Sequence, residues 1–136
     1  MENYSPGRKG LREELLAINQ RLLESIMVGD WETYSSLCDP TITAFEPEAC
    51  GALVEGLDFH GFYFDQGGTP GAHNTTMASP HVRFLGDDVA VLCYIRLTQR
   101  LGDDGKPQTV RCEETRVWQR TASGWKHVHF HRSLPR

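Results

Sequence analysis

Arg96, Arg116 and Arg132 each fall in a stretch that reads as a β-strand: VAVLCYIRLTQ, QTVRCEETRVWQ and GWKHVHFHRS. Strict alternation sets Arg96 on one face with Ala90, Leu92 and Tyr94, opposite Val91, Cys93 and Ile95. It sets Arg116 with Val110, Cys112 and Trp118, and Arg132 with Val128 and Phe130. A guanidinium on a partly apolar face is costly to bury unless something pairs with it. The pattern therefore predicts a converging cationic cleft that an anion completes, or internal pairing with Glu46, Glu48, Glu113 or Glu114. Both readings stay open at this level.

Two other constellations carry potential chemistry. Glu114 and Tyr94 share strand faces with the arginines, so a general base beside oxyanion donors can be drawn. Guanidinium neighbours lower a carboxyl's pKa and weaken it as a base, which favours a paired, structural Glu114. His127, His129 and His131 form an HxHxH run that alternation puts on a single strand face, a geometry open to a metal. No acidic or cysteine partner is fixed beside them, and Trp125 shares that face. Packing and interface hydrogen bonding are the better reading there, and for His73 and His81. No metal or cofactor is called for.

The elements that would hold these residues follow from periodicity. Residues 1–10 read as a flexible lead-in. Leu11, Leu15, Ile18, Leu22 and Ile26 then recur at helical spacing, with Leu16 and Leu23 widening the stripe. Gly29 ends this helix, and Asp30 caps a second through Trp31, Tyr34 and Leu37, before Pro40. A short strand is expected over 42–45 and an aromatic helix over 53–65. Four strands, 73–84, 88–100, 108–120 and 124–132, follow the turn-forming GGTPG. Trp31, Trp118, Trp125 and the aromatics of 59–64 read as core or interface anchors, with one of Phe62 and Phe64 expected to reach another subunit. Helices before hairpin-linked strands give an α+β order, and a curved antiparallel sheet wrapped on the long helix as a cone would bury both apolar faces.

Composition narrows the classes. With 136 residues the chain is read as one domain, and 39% hydrophobic with 24% charged residues is ordinary for a globular protein. A formal charge of -4 argues against general affinity for nucleic acid or acidic membranes. Cys38, Cys50, Cys93 and Cys112 include no CxxC pair, and no secretory or membrane-spanning run is present. Reduced cysteines and a cytoplasmic location are expected.

The stretches CDPTITAFEPEACGALVEGLDFHGFYF, HNTTMASPHVRFLGDDVAVLCYIRLTQ and EETRVWQRTASGWKHVHFHRS closely resemble the association, or hub, domain of calcium/calmodulin-dependent protein kinase II. The resemblance runs over 11–133, leaving 134–136 as a tail. It implies an NTF2-like cone in which a long N-terminal helix packs on a strongly curved antiparallel sheet. It also implies a homo-oligomer of two stacked rings with roughly a dozen or more subunits, able to mix with kinase chains that bear the same hub.

No GxGxxG loop, HRD or DFG motif is present, so a scaffold and not an enzyme is expected. The alternative that the resemblance leaves is a small-molecule enzyme or carboxylate-binding protein of the same class. The resemblance further implies an arginine-lined pocket for small carboxylates, with Arg96, Arg116 and Arg132 matching its arginines. Tyr94 and Glu114 would lie beside them, and His60 near the mouth. Two departures flank His60: Gly61 stands in place of an arginine, and FDQGGTPGAHNTT is shorter and richer in glycine. The start at Met1 fits a free-standing gene product as well as a kinase fragment.

Overall fold

The computed structural model describes residues 6–136, with side chains from Lys9 onward. Helix α1 (Pro6–Val28) starts before the apolar stripe does, so residues 6–10 of the lead-in are helical, while residues 1–5 lie outside the described part. Leu15, Leu22 and Leu23 are fully buried on its inner face, and Asn19 is buried among them. Gly29 (φ 74) turns the chain out of the helix. The Asp30 carboxylate then caps α2 (Trp31–Leu37), accepting from the Thr33 amide at 3.1 Å and the Thr33 hydroxyl at 2.6 Å.

Strand β1 (Cys38–Phe45) follows at once, then a 3₁₀ turn at Pro47–Ala49 and the two-residue β2 (Val54–Glu55). The helix expected over 53–65 is reduced to α3 (Asp58–Phe64). Gly56 takes φ 82, outside any right-handed helix, and its amide bonds the Ile42 carbonyl at 2.7 Å. Strands β3 (His73–Leu85), β4 (Val89–Leu101), β5 (Pro107–Thr121) and β6 (Gly124–Arg132) match the four expected strands closely. The chain beyond β6 stays tied down, since the backbones of Arg136 and Arg111 exchange hydrogen bonds of 2.8 Å in both directions.

The sheet corrects the expected cone. Its order is β2-β1-β6-β5-β4-β3, open at β2 and β3, and it is neither closed nor strongly curled. Nor is it wholly antiparallel, because β1 runs parallel to β6. Closure demands strand tilt and edge pairing all the way round. Here one edge is a two-residue strand, and the irregularities are local: a register shift within β3 between Ala78 and His81, and another where β5 meets β6. One face carries the core, where Ile42, Ala44, Ala90, Leu92, Trp118, Trp125 and Phe130 pack with the α1 leucines.

The shift in β6 sets which side chains reach that face. Trp118 pairs with His127, but Val117 pairs with His129, so Val128 is an extra residue. Trp125 and His127 lie inward before it, and Phe130 and Arg132 after it. The three histidines therefore part company. His127 is fully buried, whereas His129 bonds the Thr43 hydroxyl at 2.7 Å and flanks Phe45 with His131 on the other face. Among the described residues no group of histidine, cysteine or carboxylate side chains is arranged to hold a metal ion.

Candidate functional site

The inward arginines meet around one carboxylate. Glu114 of β5 is 1% exposed and stands opposite Tyr94 on β4 and Arg132 on β6. Its Oε1 accepts from the Tyr94 hydroxyl at 2.6 Å and from Arg116 Nε at 3.1 Å, while Oε2 accepts from Arg96 Nη1 at 3.3 Å. Arg132 Nε stands 4.0 Å from the same Oε2. Burial alone would raise the Glu114 pKa, but Arg116, Arg96 and the Tyr94 hydroxyl outweigh it and hold it at about 2. Such a carboxylate is a weak base.

Tyr94 passes the network to α1. Its hydroxyl accepts from Asn19 Nδ2 at 2.9 Å and from Arg116 Nε at 2.9 Å, and Asn19 Oδ1 accepts from the Trp118 indole at 3.0 Å. Asn19 was missed in the sequence because a lone polar residue on a helix reads as solvent-facing. The signal was present: it lies four residues after Leu15 and three before Leu22, inside the apolar stripe. Arg116 also stacks over Phe130 at 4.4 Å and donates to His127 Nε2 at 3.4 Å. That leaves His127 Nδ1 to carry the proton toward Cys38 Sγ, 3.6 Å away. Burial, then Arg116, keeps His127 neutral, and burial pushes the Cys38 thiol up to about 12, so this pair is not a nucleophilic dyad.

Outside this buried layer lies a cavity of about 330 Å³. Arg96, Arg116, Arg132 and His60 line it, together with Glu46, Glu48, Arg100, Tyr34, Tyr63 and Thr69. Tyr94 and Glu114 stand behind its wall and fix the arginines. The three arginines converge on the cavity, and each is paired with a carboxylate of the chain. Arg132 binds Glu48 closely and lies 3.8 Å from Glu46 Oε1. Arg100 was not singled out, although continuing the β4 alternation two steps past Arg96 leads to it.

Glu46 and His60 occupy the wall as a pair in which the histidine is neutral and the carboxyl is only partly ionised at neutral pH. They approach to 3.4 Å, yet burial, only partly offset by Arg132, raises Glu46 to about 7, and burial with Arg116 lowers His60 to about 4. Glu46 Oε2 and His60 Nε2 are buried without a hydrogen-bond partner among the described residues. Orphaned polar atoms are costly and uncommon in a folded interior. At a cavity wall they are points for a guest to satisfy.

The rim is built by glycine. A Cβ on Gly68 would lie 2.4 Å from the Val28 carbonyl carbon and 2.6 Å from the Met27 oxygen. Its absence lets the Thr69 amide reach that oxygen at 2.6 Å, pinning the loop to the end of α1. Gly61, by contrast, has ordinary space: a Cβ there would meet only the Trp31 ring at 3.6 Å. Phe64 packs on Trp31 and Tyr34 inside the mouth, while Phe62 is 61% exposed.

Comparison with known proteins agrees with this architecture. The family model described as the calcium/calmodulin dependent protein kinase II association domain matches residues 11–135. The chain is 49% identical over 124 residues to the calcium/calmodulin-dependent protein kinase type II alpha chain of Drosophila melanogaster, covering 90% of this chain but 23% of that one. It thus spans about a quarter of the length of the curated relatives it matches.

Among solved structures, the hub homology domain of the Chlamydomonas protein superposes with a TM-score of 0.85 at 54% identity, covering 91% of this chain and 98% of that one. The association domain of the C. elegans kinase gives 0.89 at 42% identity, with 96% and 100% covered. The matched family is the association unit and not the catalytic unit of that kinase. The chain belongs to the calcium/calmodulin-dependent protein kinase II association domain family.

Proposed function

We propose that this domain is a self-association scaffold that assembles into two stacked rings of roughly a dozen or more copies. The observation that carries this reading is the association-domain match over nearly the whole chain. The surface supports it: Val28, Phe62, Leu85 and Leu134 are all more than half exposed, which leaves apolar contact area for neighbouring copies. Joined to kinase chains, or mixed with chains that bear the same hub, such a ring raises the local concentration of whatever it carries. No helix among the described residues is long and apolar enough to cross a membrane. Native mass spectrometry across micromolar concentrations should give a narrow set of species above ten or so subunits. A strictly monomeric or dimeric protein would refute the scaffold.

The cavity supports a second role, binding a small carboxylate between Arg96, Arg116, Arg132 and His60. The orphaned atoms of Glu46 and His60 favour it, as they leave hydrogen bonds for a guest to make. Catalysis fits poorly, since Glu114 is ionised and fully engaged. Binding should depend on pH through Glu46. Arg132, His60, Glu48 and Arg116 are the charged or titratable groups around it, and His60 stays neutral above its value of about 4. As pH falls through about 7, Glu46 takes up a proton and ceases to compete for Arg132. Butyrate affinity should therefore rise on the order of fivefold from pH 8 to pH 6, with the carboxylate still ionised. Calorimetry on Glu46→Gln should give a flat profile at the tighter value. An unchanged slope in that variant would assign the titration to another group.

A further inference from the structure

The cavity's cations outnumber its anions. Arg96, Arg100, Arg116 and Arg132 all line it. Glu114 answers Arg96 and Arg116, and Glu48 answers Arg132. Glu46 is only partly ionised at neutral pH, because burial pushes it up to about 7. With Glu46 protonated two positive charges are left over, one shared by the three deep guanidinium groups and one on Arg100.

These charges are separated in space. Arg96 and Arg100 lie four residues apart on the same side of β4, which spaces their Cα atoms roughly 13 Å apart. Arg96 is 8% exposed at the inner end, whereas Arg100 is exposed at the rim. Its guanidinium has no hydrogen bond or ion pair among the described residues. Asp103 borders the adjoining surface hollow with Arg100, Thr69 and Pro70, yet it forms no ion pair with that arginine. A monocarboxylate on the deep group would leave the rim charge unanswered. The same cavity is lined by His60, with its unpartnered Nε2, and by Tyr63 and Ile26, which offer apolar wall.

We infer that the cavity takes a short dicarboxylate, with one carboxylate at Arg96, Arg116 and Arg132 and the other on Arg100 at the rim. The inference rests on the carboxylate-binding reading and adds the class of ligand. The methylene chain lies along Tyr63 and Ile26, and an oxygen substituent on it meets His60. Arg100 acts as the specificity determinant, because it alone distinguishes a second carboxylate from a methyl end.

Calorimetric titration of the full chain at neutral pH and low salt, with butyrate, glutarate and adipate, tests it. In the wild-type protein the better of the two dicarboxylates should bind about tenfold more tightly than butyrate. Arg100→Gln should collapse that ratio toward one, and Arg100→Lys should restore part of it, with the assembly mass of each variant unchanged. Butyrate binding with no dicarboxylate advantage, or a ratio that survives Arg100→Gln, would overturn the inference and leave the carboxylate reading standing. Binding of none of the three would overturn both.

Discussion

Glu114→Ala is expected to cost about 3–5 kcal/mol of folding stability, the largest loss for any single side chain around the cavity. The wild-type carboxylate is fully buried and offsets Arg116, itself 1% exposed, and Arg96, 8% exposed. Removing it leaves two guanidinium groups in a dry interior with only Tyr94, Thr75 and His127 as polar company. Denaturant titration at fixed protein concentration measures the loss, since assembly would itself contribute to apparent stability. The double variant Glu114→Leu with Arg116→Met should recover the part of the loss due to Arg116, because a buried pair exchanged for apolar groups of similar size is often near neutral, while Arg96 stays without its carboxylate. A loss below about 1 kcal/mol in the single variant would show that the guanidinium groups find other partners.

The same group dictates the acid limb. Its folded pKa of about 2 lies below its ordinary value of 4.5, so its stabilisation is complete above 4.5 and disappears as pH falls toward 2. Unfolding in that window should lose its steepness in the double variant.

Gly68→Ala should destabilise the domain by about 2 kcal/mol through backbone overlap and not through conformational freedom. The added methyl would meet the carbonyl carbon and Cα of Val28 at 2.4 and 2.7 Å, atoms of a helix end that cannot rotate away as a side chain does. The loop must lift, and the Thr69 amide then loses the Met27 oxygen. Hydrogen exchange should report a selective loss of protection at Thr69, with the β4–β5 pairing unaffected. A Thr69 amide as protected as in the wild type would mean that α1 yields instead of the loop. Because Thr69 lines the cavity, lifting it also widens the mouth.

Much of the site was legible in the sequence because strands β4 and β5 are regular. Alternation put Arg96 with Leu92 and Tyr94, and Arg116 with Cys112 and Trp118, and these residues are buried together. It failed on β6, where an extra residue changes the face between His127 and His129. No local propensity at Val128 announces that shift, since it arises from how β6 meets β5. The helix over 53–65 failed for a similar reason: Gly56 serves a hydrogen bond to Ile42, a partner remote in sequence. The cone was expected from the element order as well as from resemblance, and the open mixed sheet depends on edge geometry that no pattern of residue types encodes. Glu46 was among the partners open to the arginines, whereas Arg100 was visible only as a charge, and its place at the cavity required the tertiary structure.

The extra residue in β6 divides that strand into two phases of one reading frame. Upstream of Val128 the odd-numbered residues Trp125 and His127 look inward, and downstream the even-numbered Phe130 and Arg132 do. Deleting Val128 would remove the extra residue and restore plain alternation, leaving Phe130 and Arg132 inward and opposite Arg116 and Glu114. A one-residue deletion downstream, at His131, would instead turn Arg132 to the opposite face. The spacing downstream of the extra residue, and not the presence of Val128 itself, keeps a guanidinium aimed at the cavity.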